Sequence, residues 1–289
     1  MNILLTGATG FLGSHLLEAL LNEDHQVIIL KRSTSNTWRI AHLIDNVKFY
    51  DIDNIPILNA FESNDIDLVI HTACNYGRGR QTICKVIESN LIFGLKVLEA
   101  ALKCNVKFFI NTDTLLQKKM NNYSLSKKQF VEWLQHYCCK ISVINFKMDH
   151  MYGPKDDSNK FVVWLLEQFS SNVRLVKLTH GAQQRDFIHV KDVVSAYLHI
   201  INNIHDFNGF NDFDIGSGNP ITLREFVEKL HAAYINVHPH CTSKLGFGEI
   251  PYRENELMTV DVDTSKLANH GWRTRLDLNM MIDNLVQNY

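Results

Sequence analysis

The stretch ILLTGATGFLGSHLLEAL, residues 3–20, places a short apolar run, a glycine-rich turn and a leucine-faced helix in direct succession. Gly7, Gly10 and Gly13 in this stretch follow the spacing G-x-x-G-x-x-G. In such turns the first glycine permits a sharp bend, the second lets backbone N–H groups approach a pyrophosphate, and the third lets the helix lie against the strand. The start of the helix adds partial positive charge for the phosphates. The stretch therefore predicts a dinucleotide-binding turn; a glycine-rich turn without a ligand is the alternative.

The pattern continues along the first half of the chain, where short β-branched runs alternate with segments of helical periodicity. This alternation is typical of a parallel sheet covered by helices on both faces. The predicted strands are Ile3–Leu5, Val27–Leu30, Asp67–His71, Phe108–Asn111 and Ile141–Phe146, and a later strand within GFNDFDIGSG (209–218) is expected to return to the sheet. The predicted fold class is α/β, a Rossmann-type doubly wound parallel sheet. We expect a Rossmann domain over 1–150, with part of 182–216 returning to it, and a smaller C-terminal substrate-binding lobe over 151–289.

The bulk composition excludes several classes of protein. A chain of 289 residues with 45% hydrophobic residues is long enough to bury a large core. Its net charge of -2 lacks the basic excess of a nucleic-acid-binding protein. No apolar run approaches the roughly 20 residues that span a bilayer, and the N-terminus has no basic region of a signal peptide. We expect a cytoplasmic protein with no nucleic-acid partner and no membrane insertion.

The six cysteines form no C-x-x-C pair, which favours reduced thiols in a chain of this size. The cluster His238-Pro239-His240-Cys241 offers metal-ligand side chains, but no second cluster completes a ligand set. We interpret it as a loop and expect no metal.

The second predicted strand ends in VIILKRS, which places Lys31 and Arg32 where enzymes of this fold choose their cofactor. A carboxylate near this point accepts from the ribose of NAD, whereas cations accommodate the 2′-phosphate of NADP. No carboxylate adjoins the two cations in the sequence, so they favour NADP(H). Two solvated surface cations are the alternative.

The stretch NNYSLSKKQF, residues 121–130, places Lys127 four residues after Tyr123. The spacing puts both side chains on one face of a helix, but by itself it is not specific. Upstream, the strand in KFFINTDTLL carries Thr112, and its end should meet the start of the helix at the ligand-binding edge of the sheet. A threonine, a tyrosine and a lysine there form a proton-transfer set, in which Lys127 is expected to lower the pKa of Tyr123. A capped surface helix with a solvated lysine is the alternative.

Several motifs together resemble the extended short-chain dehydrogenases/reductases, the NAD-dependent epimerase/dehydratase family. They are TGATGFLG (6–13), DLVIHTAC (67–74), NLIFGLKVLEA (90–100), the Tyr123–Lys127 pair, DHMYGP (149–154), QRDFIHVKDV (184–193) and YRENELM (252–258) followed by GW (271–272). The resemblance covers nearly the whole chain and implies nucleotide-sugar substrates. It also implies a homodimer formed by the helix around 84–103 and the helix bearing Tyr123, with a monomer as the alternative.

The resemblance also implies which residues form the site. The implied catalytic residues are Thr112, Tyr123 and Lys127. The implied cofactor-binding residues are Gly7, Thr9, Gly10, Phe11, Leu12, Gly13, Lys31, Arg32, Asp51, Ile52, Ala73, Asn90, Tyr123 and Lys127. The implied substrate-binding residues are Asp113, Thr114, His150, Lys160, Phe161, Arg185, Arg253 and Glu256, of which the two arginines match positions that contact a diphosphate. The two arginines and Glu256 could instead form structural ion pairs, and His150 a structural hydrogen bond.

Two departures from the family pattern bear on the reaction. The family's 4,6-dehydratases have glutamate where this chain has Thr114, so the base for dehydration is missing. His150 and Lys147 replace the asparagine and arginine that often occur near the YGP motif, which puts the substrate contacts at this edge in doubt.

Other segments resemble the CDP-abequose and CDP-paratose synthases of O-antigen and lipopolysaccharide biosynthesis. They are FINTDT (109–114), YGPKDDSNKF (152–161), GAQQRDFIHVKDVV (181–194) and FGEIPYRENELM (247–258). The implied reaction is NADPH-dependent reduction of the C4 ketone of a CDP-4-keto-3,6-dideoxy hexose. The alternatives are a dTDP-4-keto-6-deoxyglucose reductase, an NAD-dependent nucleotide-sugar 4-epimerase and a cofactor-sensing regulatory protein.

Overall fold

A computed structural model describes residues 1–79, 81–254 and 256–289 of the chain. The chain divides into two compact units. The first unit contains Met1–Met148 and Val194–Ile215, and the second contains Asp149–Val193 and Gly216–Tyr289.

The regular elements alternate between strand and helix through the first unit. The strands are β1 (Asn2–Thr6), β2 (Gln26–Lys31), β3 (Lys48–Asp51), β4 (Leu68–His71), β5 (Phe108–Thr114), β6 (Ser142–Met148), β7 (His150–Tyr152), β8 (Leu175–Leu178), β9 (Gln184–Arg185), β10 (Phe187–His189), β11 (Phe210–Ile215), β12 (Ile221–Thr222) and β13 (Lys244–Phe247). The α-helices are α1 (Phe11–Asn22), α2 (Ile57–Glu62), α3 (Ile83–Ile87), α4 (Phe93–Lys103), α5 (Asn122–Tyr137), α6 (Phe161–Ser170), α7 (Val190–Asn202), α8 (Leu223–Val237), α9 (Ser265–Asn269) and α10 (Leu278–Gln287). The described residues also form two 3₁₀ segments (Trp38–Asn46 and Ile204–Asp206) and a π-helical segment (Glu88–Ile92).

The first unit is built on a seven-stranded sheet in the order β11-β6-β5-β4-β1-β2-β3. All neighbouring strands are parallel. A parallel sheet covered on both faces needs apolar side chains on both, and Ile3, Leu4 and Leu5 of β1 are accordingly fully buried. The strand order reverses between β1 and β4, and open sheets of this kind bind ligands at the carboxyl ends of the strands at such a point.

This sheet confirms the predicted fold class, and the ends of the five predicted strands lie within three residues of the observed ones. The returning strand is β11, at the sheet edge beside β6. The sequence did not predict β3, because Lys48–Asp51 is a four-residue edge strand with no β-branched residue.

The helices α4 and α5 pack closely on one face of the sheet. An added Cβ at Gly94 of α4 would lie 2.9 Å from the Phe130 ring of α5, so glycine permits the close approach. Phe130 and Leu134 of α5 belong to a buried cluster with Phe109 of β5. Packing of this kind fixes α5, which carries Tyr123 and Lys127, against the strand that carries Thr112.

The second unit contains three two-stranded sheets, β7–β10, β8–β13 and β9–β12. Its core is an apolar cluster in which the rings of Phe187 and Phe226 stack with centroids 3.7 Å apart. Asp186 is fully buried and accepts hydrogen bonds from the backbone N–H groups of Ser217 (2.7 Å) and Gly218 (2.9 Å). Asp186 thereby holds the loop between β11 and β12.

None of the helices among the described residues combines the length and apolar character needed to cross a membrane. All six cysteines are free thiols.

Candidate active site

The glycine-rich turn connects β1 to α1 in a conformation that needs two of its three glycines for packing. Gly7 has φ +73°, and an added Cβ there would lie 2.7 Å from the backbone nitrogen of Ala73. A Cβ at Gly13 would lie 2.1 Å from the carbonyl oxygen of Gly7. At Gly10, by contrast, an added Cβ would meet only the Gly7 carbonyl oxygen, at 3.2 Å. The packing of the turn therefore explains Gly7 and Gly13 but leaves Gly10 for another cause.

The start of α1 supplies that cause. Its N-cap residue is Gly10, which has no side chain that could hydrogen-bond to the first turn of the helix. This first turn begins with Phe11 and Leu12. Uncapped N–H groups at a helix start bind phosphate, and a glycine without a Cβ lets phosphate approach them. The residues of this turn thus fit the pyrophosphate of a nicotinamide dinucleotide.

The strand β3 brings two carboxylates to the end of β2. The parallel register places Asp51 opposite Lys31. The Ser33 hydroxyl donates to Asp51 Oδ2 (2.6 Å), and the Ser33 N–H donates to Asp53 Oδ2 (2.9 Å). The sequence shows no carboxylate next to Lys31 and Arg32, but the tertiary structure places one there, because β2 and β3 pair in register. Ile52 directly follows the end of β3, and its N–H donates to the carbonyl oxygen of Lys31 (3.0 Å).

The predicted cations at this edge occupy different surroundings. The Lys31 ammonium lies 4.6 Å from the centroid of the Phe49 ring, and Arg32 is exposed. A third cation, Arg39, was not predicted. Its guanidinium donates to the carbonyl oxygen of Thr9 in the glycine-rich turn (3.3 Å). It belongs to the 3₁₀ segment Trp38–Asn46, and only the tertiary structure reveals that its side chain reaches the glycine-rich turn.

Asn90 links the loop after β4 to α5. Its Nδ2 donates to the Asn75 carbonyl oxygen (2.8 Å) and to Ser126 Oγ (3.0 Å), and its Oδ1 accepts from the Asn75 N–H (2.6 Å). The Asn90 side chain is fully buried in the π-helical segment. Asn90 therefore orders the surroundings of Tyr123, and its predicted cofactor contact stays a prediction.

Tyr123 is the second residue of α5, and a capping box fixes the start of this helix. Asn121 Oδ1 accepts from the Ser124 N–H (2.8 Å), and Ser124 Oγ accepts from the Asn121 N–H (3.2 Å). Such a reciprocal pair satisfies two backbone donors and sets the helix entry. The half-buried Tyr123 ring lies 5.0 Å from the ring of Tyr76, between centroids.

The pKa of Tyr123 differs in direction from the sequence prediction. Burial raises the pKa of Tyr123 well above its ordinary value, and the charges of Cys74 and Asp113 act in the same direction. A hydrogen bond with Thr114 and the charge of Arg78 lower this pKa, with smaller effect. The predicted lowering by Lys127 was therefore wrong for this form of the protein, because loss of solvation disfavours the phenolate more than the neighbouring donors favour it.

Lys127 lies one turn further along α5 and is 1% exposed. Its ammonium has no hydrogen-bond partner among the residues that the structure describes. Burial lowers the pKa of Lys127, while Cys74 and Asp113 raise it and Lys128 lowers it. A buried ammonium without a partner is costly, so it indicates a hydrogen-bond acceptor that a ligand would supply. The ribose hydroxyls of a nicotinamide dinucleotide fit this requirement.

His71 lies at the end of β4, and it contributes to the buried surroundings of Lys127. Its Nδ1 lies 2.9 Å from the Thr6 hydroxyl oxygen, and its ring packs near Phe93, Phe109 and Phe130. Burial lowers the pKa of His71 well below its ordinary value, and the charge of Lys127 adds to this effect. His71 is therefore neutral near pH 7.

Thr112 and Thr114 of β5 have different partners. The Thr112 hydroxyl lies 2.7 Å from the hydroxyl of Tyr197 in α7. Thr114 lowers the pKa of Tyr123, and its hydroxyl oxygen accepts from the Leu116 N–H (3.2 Å). Between them, Asp113 is 3% exposed and its Oδ2 lies 2.6 Å from the Lys128 ammonium. Of the two threonines, only Thr114 influences the pKa of Tyr123, and the predicted catalytic role of Thr112 stays a prediction.

The second unit holds most of the predicted substrate-binding residues, and Arg185 is the most constrained of them. Its Nη1 donates to the carbonyl oxygens of Gln184 (2.6 Å) and Leu257 (2.7 Å), and its Nη2 lies 2.5 Å from Glu256 Oε1. This is the ion pair that the sequence left open as the alternative. Arg253 is exposed.

The other predicted residues of this unit lie at the starts of elements. His150 begins β7, and its Nδ1 lies 2.8 Å from Asp149 Oδ1. Lys160 is the N-cap residue of α6 and makes no side-chain cap hydrogen bond. Phe161 follows it, with its ring 6.0 Å from that of Trp164. The predicted substrate contacts of these residues stay predictions.

Comparison with known proteins gives a consistent family. The sequence profile described as the NAD dependent epimerase/dehydratase family matches residues 3–216. CDP-abequose synthase of Salmonella typhimurium (strain LT2) is 32% identical over 296 residues, which cover 99% of this chain and 97% of that protein. CDP-abequose synthase of Salmonella muenchen is 33% identical over 286 residues, which cover 96% of this chain and 94% of that protein.

Solved structures share the fold. UDP-glucose 4-epimerase of Thermotoga maritima, solved with UDP-glucose, has a TM-score of 0.85 at 21% identity over 99% of this chain and 98% of that chain. UDP-glucose 4-epimerase of Thermus thermophilus, solved with NAD, has a TM-score of 0.82 at 21% identity over 99% and 98% of the two chains. At such identity the likeness concerns the fold.

The Rossmann-type sheet, the glycine-rich turn and a Lys127 ammonium without a partner among the described residues fit a nicotinamide-dependent enzyme. The chain belongs to the NAD-dependent epimerase/dehydratase family, as the sequence resemblance predicted.

Proposed function

We propose that this enzyme reduces the C4 ketone of a nucleotide-linked 4-keto-6-deoxy hexose with NADPH. The substrate that we favour is a CDP-4-keto-3,6-dideoxy hexose, whose reduction serves O-antigen and lipopolysaccharide synthesis in the cytoplasm. Two relatives that match nearly the full chain, both CDP-abequose synthases, support this choice of substrate.

The observation that carries the redox chemistry is the relationship of Tyr123 to Lys127. The two residues are one turn apart on α5, and the Lys127 ammonium is buried without a partner among the described residues. A ribose hydroxyl that accepts from Lys127 would place the nicotinamide close to the tyrosine. The Tyr123 hydroxyl then donates its proton to the alkoxide oxygen that forms at C4.

The remaining residues of the first unit support this transfer. NADPH, when bound, supplies the hydride that reduces the ketone carbon. The Thr112 hydroxyl donates a hydrogen bond to the C4 carbonyl oxygen of the sugar. Thr114 lowers the pKa of Tyr123. Asp113 lies between the two threonines in the sequence, and its negative charge raises the pKa of Tyr123. Because Thr114 replaces a glutamate, no carboxylate at that position abstracts a sugar proton, and dehydration is disfavoured.

Cofactor selection follows from charge at the carboxyl ends of β2 and β3. Lys31 and Arg32 pair with the 2′-phosphate of NADPH, and Arg39 adds positive charge near the glycine-rich turn. Asp51 supports the second candidate, an NAD-dependent nucleotide-sugar 4-epimerase, since its carboxylate could accept from an unphosphorylated ribose. Ala73 and Ile52 contact the dinucleotide through apolar surface and backbone.

The second unit binds the nucleotide diphosphate in this proposal. The guanidinium groups of Arg185 and Arg253 bind the two phosphates, for which their planar donor geometry is suited. When the substrate binds, Glu256 leaves its ion pair with Arg185 and contacts the ribose of the nucleotide. Lys160 and Phe161 contact the base, and His150 a sugar hydroxyl. Binding energy from this remote part of the substrate orients the ring for reduction.

We also propose that the enzyme is a homodimer. Ile83, Ile92 and Trp133 are 59%, 39% and 44% exposed on α3, the π-helical segment and α5. A second copy of the chain would bury these apolar side chains, as the family resemblance implies.

The proposal is tested by incubating the purified protein with NADPH and either CDP-4-keto-3,6-dideoxyglucose or dTDP-4-keto-6-deoxyglucose. We expect stoichiometric NADPH oxidation with the CDP-linked substrate, and a product reduced at C4 by NMR. Turnover with the dTDP-linked sugar alone would identify the alternative reductase. Interconversion of UDP-glucose and UDP-galactose with bound NAD, and no NADPH oxidation, would identify an epimerase.

A further inference from the structure

Lys128 has no role in the chemistry described above, although it follows Lys127 directly in the chain. Its Nζ lies 2.6 Å from Asp113 Oδ2 and 2.5 Å from the carbonyl oxygen of Thr114. Lys128 therefore joins α5, which carries Tyr123 and Lys127, to the end of β5, which carries Thr114.

We propose that Lys128 is a positioning residue: its ammonium pairs with the buried carboxylate of Asp113 and limits the effect of that charge on the neighbouring Tyr123. The consequence of this ion pair for catalysis rests on the proposed function. The effect of the ion pair on Tyr123 does not.

Asp113 depends on Lys128 because its other contacts are poor. Its side chain is 1% exposed, and its Oδ1 has no hydrogen-bond partner among the described residues. Asn145 Nδ2 lies 3.4 Å from Oδ2, which is long for a hydrogen bond, and it has a shorter contact with Asp212 Oδ1 at 2.8 Å. A buried carboxylate requires a charged or strongly donating partner, and Lys128 meets that need.

The two consecutive lysines of α5 thus have different roles. Successive helical residues point in directions about 100° apart, so Lys127 and Lys128 meet different neighbours. The ammonium of Lys127 is buried without a protein partner among the described residues, while that of Lys128 donates to Asp113 and to the carbonyl oxygen of Thr114. Of the two lysines, Lys127 is the one left for a ligand.

The charges that face Tyr123 and Lys127 come from three elements. Cys74 and Arg78 lie on the loop after β4 and Asp113 on β5, and all three act on Tyr123. Lys127 interacts with Cys74, Asp113 and Lys128, and with His71 of β4, which is neutral near pH 7. Among these groups, Asp113 and Lys128 form the ion pair, so removal of either charge exposes Tyr123 to the other.

The charge of each residue gives the direction in which its removal should move the pKa of Tyr123. The negative charge of Asp113 raises the pKa of Tyr123 and opposes formation of the phenolate. Without Lys128 this charge is uncompensated, and the pKa of Tyr123 rises further. Without Asp113, the charge that raises this pKa is lost and the Lys128 cation is unpaired, so we expect the pKa of Tyr123 to fall. Loss of both charges gives a value near that of the wild type.

The experiment measures this pKa directly, without substrate or cofactor. A fluorinated tyrosine of lower intrinsic pKa is incorporated at position 123 of the full chain, and its titration is followed by ¹⁹F NMR. The backgrounds are wild type, Lys128→Met, Asp113→Asn and the double variant, with Lys128→Arg as the charge-preserving control. We expect Lys128→Met to raise the pKa by about 1, Asp113→Asn to lower it by a similar amount, and Lys128→Arg to leave it unchanged.

Equal pKa values in the wild type and in Lys128→Met would overturn the proposal. If Lys128→Met does not fold, Asp113→Asn and the double variant decide: a higher pKa in the double variant supports the role of Lys128, and equal values overturn it. The pH profile of ketone reduction should move in the same directions. Absence of ketone reduction in the wild type, with the expected titrations, would refute the proposed function and leave this inference standing.

Discussion

The hydroxyl groups of Thr112 and Tyr197 lie 2.7 Å apart, and Tyr197 is fully buried. Thr114, two residues further along β5, lowers the pKa of Tyr123. The two threonines therefore act on different tyrosines: Thr112 on the fully buried Tyr197, and Thr114 on Tyr123, the proposed proton donor. This separation makes their roles distinguishable by experiment.

Substitution of each threonine by valine should give a different kinetic signature. Thr112→Val should lower kcat by about 10² without moving the pH profile, because a donor to the carbonyl oxygen is lost. Thr114→Val should move the profile to higher pH, because the hydrogen bond that lowers the pKa of Tyr123 is lost. The measurement is kcat against pH for both variants. If Thr112→Val retains full activity, the assignment of Thr112 to the carbonyl oxygen is incorrect.

Tyr123→Phe should lower kcat by about 10²–10⁴ and leave the affinity for NADPH unchanged, because only the proton donor is removed. Tyr137→Phe is the matched control, since Tyr137 is the last residue of the same helix. It should retain wild-type turnover. Steady-state kinetics and fluorescence titration with NADPH provide the measurements. Near-normal turnover in Tyr123→Phe would remove the phenol from the mechanism.

The glycine-rich turn offers a pair of substitutions that separate folding from binding. Gly7→Ala should destabilise the protein by about 1–3 kcal/mol, because φ is +73° and the new Cβ clashes with Ala73. Gly10→Ala should cost far less stability, since its Cβ meets only the Gly7 carbonyl oxygen at 3.2 Å. It should instead weaken NADPH binding by about tenfold or more, equal to about 1.4 kcal/mol.

Urea unfolding and isothermal titration calorimetry would measure the two effects. Wild-type affinity for NADPH in Gly10→Ala would show that the pyrophosphate does not approach this turn.

Cofactor preference should depend on the cations after β2. The double substitution Lys31→Ala and Arg32→Ala should raise the KM for NADPH by about 10–100-fold, because charge-assisted hydrogen bonds to the 2′-phosphate are lost. The KM for NADH should not change. Asp51→Asn is the opposing variant, and it should raise the KM for NADH more than the KM for NADPH. An equal effect of the cation substitutions on both cofactors would indicate solvated surface cations.

The proposed homodimer should depend on the exposed apolar side chains of α3, the π-helical segment and α5. Trp133→Glu places a charge on α5, where Trp133 is 44% exposed, and it should yield a monomer. Met280→Glu is the control, because Met280 is 61% exposed on α10 of the second unit. Sedimentation equilibrium distinguishes the two states. A wild-type protein that is monomeric at micromolar concentration would contradict the prediction.

Local patterns determined much of this protein. Gly7, Gly10 and Gly13 predicted the turn, because backbone conformation and close approach depend on residue type at fixed spacing. The apolar runs of β1 and β4 predicted central parallel strands, because both of their faces are buried. The helical period also placed Tyr123 and Lys127 on one side of α5, and several motifs together indicated the family.

Only the tertiary structure decided the environment of these residues. The register of β2 with β3 brings Asp51 beside Lys31, although the two are 20 residues apart in the chain. The packing of α5 against β5 decides which threonine influences the pKa of Tyr123. It also decides which lysine is left without a partner among the described residues. The raised pKa of Tyr123 follows from burial, which no local spacing encodes. Pairing register and solvation depend on residues distant in sequence, and therefore the chemistry of the site was decided by packing.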